Sequence, residues 1–157
     1  MIEINDVVHE TAEAAAVAGP VLVLAGIDRV ELAEFQRTVD VAGQAFLDRV
    51  FTAGELKFAN GRIDRLADRF AAKEAVAKVL GTGFRGLAAS EIEIVTTMQG
   101  RPFAVLVGRA GQRAADIGLR SLAVSMTNTS LYAEAFAVGL CDGLSENAST
   151  PKESGHG

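Results

Sequence analysis

At 157 residues the chain is long enough for one domain with a real core and too short for two comfortable ones. Fifteen basic against twenty acidic residues give a net charge of −5, which argues against a general nucleic-acid binder and leaves any phosphate-bearing ligand to local cations, a metal or backbone N–H groups. The one cysteine, Cys141, excludes an internal disulfide and cysteine-pair metal sites, His9 and His156 sit in no motif, and no apolar run approaches the about 18 residues of a membrane span.

Residues 1–20 read as a polar, alanine-rich N-terminal extension, acidic and without the basic and apolar regions of a signal peptide, so a reduced, cytoplasmic setting is expected. Val21 to Ile27 is an unbroken apolar run and reads as a buried strand. It closes on Gly26-Ile27-Asp28. Glu31 follows Asp28 by three residues, and the helical spacing of Leu32, Phe35 and Val39 begins there. That is a capping-box pattern with Asp28 as N-cap, and it predicts a helix up to residue 50 that is broken near Gly43. Thr52 and Glu55 form a second capping box. Asn60-Gly61 marks a turn.

The helix that follows, around LADRFAAKEAVAKVLGTG (66–83), has the clearest pattern in the chain. At about 100° per residue Leu66, Phe70, Ala77 and Leu80 share one face, which is predicted to be buried. Glu74 and Lys78 lie four apart beside that face, with Ala67 and Ala71 behind them. A carboxylate and an ammonium thus project from a patch of methyl groups. By spacing alone the pair reads equally well as a helix-stabilising contact worth about 0.3–0.5 kcal/mol. Arg69 and Lys73 fall to the other side and read as solvated flank, Lys73 snorkelling from the apolar edge. Gly81 and Gly83, with Thr82 between them, end the helix.

Residues 84–90 read as a loop. Glu91 to Thr96 alternates as a half-buried strand, Gln99 to Pro102 turns, and Phe103 to Val107 returns. A short helix at 110–117 and a strand pair, 122–126 and 132–138, complete a domain spanning 21–141. From Asp142 the composition shifts to Ser, Asn, Pro, Gly and charge, and 142–157 reads as a disordered tail. The fold class expected is α+β, with helices packed on one mainly antiparallel sheet.

The string RFAAKEAVAKVLGTGF, Arg69 to Phe84, resembles the signature of the holo-acyl-carrier-protein synthases, the short class of 4′-phosphopantetheinyl transferases, where it reads close to RFAAKEAxxKAxGTG. Gly26-Ile27-Asp28 with Val30 resembles the family's G-[IL]-D-[IV] block. Phe51 to Leu56 resembles its F-[TS]-xx-E-[LR] step, and Gly100-Arg101-Pro102 its G-[KR]-P turn. Ser125 to Thr129, followed by Tyr132 to Ala135, resembles its S-[IL]-[ST]-H-[TD] and Y-A-x-A blocks.

The resemblance implies the compact half-hammer fold and transfer of 4′-phosphopantetheine from coenzyme A to a serine of an apo acyl-carrier protein or of a carrier domain in a fatty-acid synthase, with release of 3′,5′-ADP. It implies that Asp28 and Glu74 bind Mg²⁺, that Lys78 joins them as a catalytic cation on the diphosphate, and that the segment through Gly81, Thr82 and Gly83 binds coenzyme A. Arg69 and Lys73 become candidates for its 3′-phosphate, and Asn128 for a phosphate or ribose contact. The proton acceptor is expected to be a metal-bound water, or else Glu74 acting through one. Homotrimers with active sites between subunits are also implied. Two positions depart from the pattern. Asn128 stands where many members carry His, and Glu34 where several carry an arginine that faces the acidic carrier; Arg29, Arg37 and Arg49 are the substitutes nearby. These departures motivate the alternative of a non-catalytic module that holds coenzyme A or a carrier protein.

Overall fold

The computed structural model describes residues 20–142. The N-terminal extension before Pro20 and the tail beyond Asp142 lie outside the described residues. The element order is β1 (Val21–Glu31), α1 (Leu32–Val50), α2 (Ala53–Ala59), α3 (Ile63–Val79), a single 3-10 turn (Ala89–Glu91), β2 (Ile92–Thr96), β3 (Pro102–Leu106), α4 (Gly108–Asp116), β4 (Leu119–Asn128) and β5 (Tyr132–Asp142). All strand pairs are antiparallel. They form two sheets rather than the single one expected: a three-stranded sheet in the order β1-β5-β4, and the hairpin β2-β3. β3 lies beside β4 without a hydrogen-bonded ladder between them.

The local signals were honoured in several places. Thr52 caps α2 through its hydroxyl, which accepts from the Glu55 amide, while the Glu55 carboxylate accepts from the Thr52 amide. Gly43 adopts φ 61°, ψ −154° and breaks α1 where the helical pattern lapses. The expected cap at Asp28 did not form. β1 continues through Asp28 to Glu31, pairing Asp28 with Ala135, and α1 begins after Glu31 without a side-chain cap. Four further ladder pairs with β5 outweigh one local cap, which is worth about 1 kcal/mol.

α3 lies across the inner face of the three-stranded sheet. The single buried face expected of it became burial all round: between Leu66 and Leu80 only Lys78 is exposed. Its alanines at 67, 71, 72, 75 and 77 are wholly buried, facing small residues such as Ala133, Ala135 and Ala137 of β5. Contact is closest at Gly26. A Cβ there would stand 2.0 Å from the Ala75 carbonyl oxygen and 3.0 Å from Lys78 Cβ. A second cluster joins α1 to α3 through Phe35, Phe46, Phe51 and Phe70, whose neighbouring ring centroids are 5.4 to 6.5 Å apart.

β1 is not buried on both faces. Its outer side is open, with Val23 60% and Ile27 67% exposed, beside Phe136 and Leu140 of β5. The apolar run that suggested a core strand therefore supplies one inner face and one uncovered outer one.

Gly26→Ala is expected to destabilise the chain by about 3 kcal/mol, the upper end for overpacking, because the obstruction is backbone rather than a movable side chain. Urea unfolding measures it.

Candidate active site

Asp28, Glu74 and Lys78 come together where β1 crosses α3. Lys78 Nζ donates to Asp28 Oδ1 at 2.8 Å and to the Ile27 carbonyl at 2.6 Å. This contact joins residues fifty positions apart, so the i,i+4 pair that spacing suggested is subordinate to a tertiary one. Glu74, half-buried one turn back, has its carboxyl pushed up by burial and by the negative charge of Asp28, with Lys78 opposing.

These residues suit a hard divalent cation. Two carboxylates whose charges disfavour one another gain from an ion between them, and carboxylate oxygens match Mg²⁺. No cluster of three or more His, Cys, Asp or Glu side chains occurs among the described residues. The remaining coordination would fall to water and substrate oxygens, the usual arrangement for Mg²⁺. Two clefts meet at Asp28. One runs over the outer face of the sheet past Arg29, Ser125, Thr127 and Glu134, and the other passes between β1 and α1 beside Glu34, Phe46 and Phe70.

The two other basic residues of the motif point elsewhere. Lys73 is wholly buried. Its ammonium is 2.8 Å from Glu55 Oε2 and donates to the carbonyls of Ala89 at 3.0 Å and Ile92 at 2.6 Å. Burial pushes it down and the Glu55 charge holds it up. Arg69 is 2% exposed. It donates to the Arg65 carbonyl and the Thr96 hydroxyl, and its guanidinium stacks 4.0 Å from the centre of the Phe58 ring. Neither is the solvated flank that periodicity placed there. Every ammonium proton of Lys73 has a protein acceptor, so it has none for a ligand phosphate.

The glycine loop also differs from expectation. The amides of Gly81, Thr82 and Gly83 turn inward, onto the carbonyls of Lys78 and Ala77. They close the helix and leave no donor for an anion. From α4, Arg113 Nε donates to the Leu80 carbonyl at 2.9 Å, bringing its guanidinium to the same loop. Nothing in the sequence marks Arg113, since only tertiary packing carries α4 there. Asn128 lies away from Lys78. It donates at 2.7 Å to Asp68 Oδ2, whose other oxygen is buried without a partner. Asp68 was also missed, although an acid on the same helix immediately before the signature's Arg69 was visible in the sequence.

A family model for the 4′-phosphopantetheinyl transferase superfamily matches residues 25–141, which takes in the second half of β1, all of α3 and β5 to its penultimate residue. The chain belongs to that superfamily, as a holo-acyl-carrier-protein synthase. The holo-[acyl-carrier-protein] synthase of Herpetosiphon aurantiacus is 37% identical over 126 residues, covering 76% of this chain and 99% of that one. The crystal structure of the Neisseria meningitidis synthase superposes with a TM-score of 0.69 at 33% identity, covering 74% and 96% of the two chains. The Helicobacter pylori synthase, solved in complex with coenzyme A, gives 0.68 at 26% identity over 74% and 99%. The half-hammer fold expected of a synthase is the one observed.

Two stability predictions come from the charges that face inward. Lys73→Met leaves the Glu55 carboxylate buried without its cation and is expected to cost about 3–5 kcal/mol, with Glu55→Gln in the same chain restoring part of it; urea unfolding of the single and double variants checks both. Asp68 is raised chiefly by burial, against its bond from Asn128. An acid raised in the fold favours folding fully below its unfolded value, about 3.9, and loses that benefit as pH climbs through the folded value. The Tm of Asp68→Asn minus that of the native chain should therefore rise as pH goes from acid to neutral.

Proposed function

We propose that this synthase transfers the 4′-phosphopantetheine of coenzyme A to a serine of an apo acyl-carrier protein. The observation that carries this reading is the convergence of Asp28, Glu74 and Lys78 where β1 crosses α3, at the meeting of two open clefts. The serine oxygen forms a bond to the β-phosphorus. The bond from that phosphorus to the bridging oxygen breaks, and 3′,5′-ADP leaves with that oxygen. Transfers of this kind depend chiefly on positioning and charge neutralisation.

Asp28 and Glu74 are the residues that would hold Mg²⁺, which when bound screens the diphosphate charge. Lys78, fixed by the Ile27 carbonyl and by Asp28, keeps an exposed ammonium for the charge that grows on the leaving oxygen. Glu74, half-buried beside Asp28, would receive the serine proton through a water molecule. Asp28 keeps Lys78 aimed along the strand end.

For the carrier, the second cleft and α1 offer a docking side. Arg29 lies over Tyr132, and Arg37 and Arg49 are exposed along α1. They offset Glu34, which sits in the cleft wall where it repels an acidic partner. The uncovered apolar outer face of β1 and β5 supports a homotrimer in which neighbouring chains close over the clefts. No helix among the described residues is long and apolar enough to cross a membrane. A module that only holds coenzyme A is the weaker reading, because simple binding has no use for two facing carboxylates beside a phosphate site.

Asp28→Ala and Glu74→Ala are each expected to lower kcat/KM by at least about a hundredfold while far-UV circular dichroism and Tm stay near native. Intact-mass spectrometry of apo carrier proteins, incubated with coenzyme A and Mg²⁺, should show a phosphopantetheinyl gain that EDTA abolishes. Full turnover by both variants would remove the assigned site. Sedimentation equilibrium should return three times the 16.4 kDa chain mass.

A further inference from the structure

The segment before Pro20 has no part in the site described above, and it lies outside the residues 25–141 that the family model matches. Its sequence is one-sided in charge. Glu3, Asp6, Glu10 and Glu13 are set among Ile2, Ile4, Val7 and Val8, and no lysine or arginine occurs before Arg29. An acidic stretch with aliphatic residues fits a surface that joins an apolar floor to a cationic edge. Such a surface lies between α1 and the loop that follows α3. This cleft of about 340 Å³ is lined by Val50, Phe70, Phe84 and Leu87, with Arg49 and Arg109 exposed at its edge. No step of the transfer chemistry uses it.

We propose that the acidic segment 2–10 seats in this cleft of its own chain, its aliphatic residues on the apolar floor and its carboxylates on Arg49 and Arg109. Among the described residues no carboxylate lies within ion-pair distance of Arg49, and Asp48 beside it is turned to Gln44. Arg109 has Glu91 at 3.6 Å, but that carboxylate already accepts from the Ala88 and Arg109 amides. Arg85, exposed on the same loop, adds a third positive charge. The edge of the cleft therefore keeps guanidinium donors for incoming carboxylates. The segment can reach it. Pro20 precedes Leu24 by four residues, Leu24 and Val79 both lie against Gly139, and Phe84 follows Val79 by five. The ten-residue step from Glu10 to Pro20 spans up to about 33 Å when extended, which covers that path. The tail beyond Asp142 starts from the same strand end, opposite Val21, but it carries Lys152 and has Leu144 as its only large aliphatic residue. Composition thus favours the N-terminal segment as the occupant.

Disulfide trapping in the full chain tests the seat. Val8→Cys is combined with Ala88→Cys in the cleft or, as a reference, with Val41→Cys, a position 90% exposed on α1. The native Cys141 is wholly buried and does not compete. The cleft pair should close within one chain about tenfold faster than the reference pair, because a seated segment has a higher effective concentration than a free one. Neutralising the edge of the cleft (Arg49→Gln with Arg109→Gln) or the segment (Glu3→Gln, Asp6→Asn and Glu10→Gln together) should bring the two rates within about twofold of each other. The second set leaves residues 20–142 untouched, so its effect cannot come from an altered domain, and Tm is recorded for the first. Equal rates for the two pairs, or a ratio that neither neutralised set changes, would overturn the proposal. A disulfide joining two chains would overturn it too, by placing the segment on a neighbour. Should an excess of apo acyl-carrier protein shield the Ala88→Cys thiol from maleimide while the segment is trapped no faster there than on α1, the cleft belongs to the carrier and the proposal falls, with the transferase reading untouched.

Discussion

The contact between β1 and α3 at Gly26 sets most of what the molecule can do. With no side chain at that position, the strand lies directly on the Ala75 carbonyl and against Lys78 Cβ. Two residues further on, the inward pleat presents Asp28 to the next turn of the helix, where Lys78 meets it. A bulkier residue at 26 would lift the strand from the helix and separate the carboxylate from both Glu74 and Lys78. The glycine of the sequence block therefore acts through distance, and the chemistry of the aspartate depends on it.

The same closeness explains why α3 is so rich in alanine. A helix enclosed by a sheet, a hairpin and two other helices cannot carry large side chains on every side at a backbone spacing this short. The large apolar groups are collected instead at the Phe35, Phe46, Phe51 and Phe70 cluster, where α1 packs on α3. Enclosure also forces Lys73 and Arg69 to find partners inside. Lys73 ties α3 to α2 through Glu55 and to the start of β2 through two carbonyls, so a charge that is costly to bury fixes three elements against each other.

Local patterns were legible wherever the deciding interaction was local. The Thr52–Glu55 box, the break at Gly43 and the glycine stop after α3 all depend on residues within a few positions of one another. Asp28 was misread as a cap because a capping box is a short-range pattern, whereas ladder pairing with β5 is invisible until Tyr132 to Asp142 is placed alongside. The outer face of β1 was misread for a related reason: an apolar run shows that burial is favourable without showing which partner provides it. Arg69 and Lys73 were misplaced because periodicity ranks positions by hydrophobicity, and a buried ion pair contradicts that ranking. Asp28, Glu74 and Lys78 could be singled out as residues, since they stand in the two family-like blocks. Their meeting could not, because it depends on how β1 crosses α3.

The signature's basic residues thus divide by solvation rather than by spacing. Arg69, Lys73 and Lys78 occupy one helix within ten positions, yet two are internal braces and one is exposed. Partners already present in the chain decide which is which. Lys73 has three acceptors around it, while Arg69 has a ring, a carbonyl and a hydroxyl but a buried Nε without a partner, and neither is turned to solvent. Lys78 is exposed beside Asp28, and its anchoring carbonyl holds it in place without neutralising it. A cation held in this way can exchange a carboxylate for a phosphate at little reorganisation cost, which is the property a transfer site needs. The other two, being buried, are not open to an incoming anion.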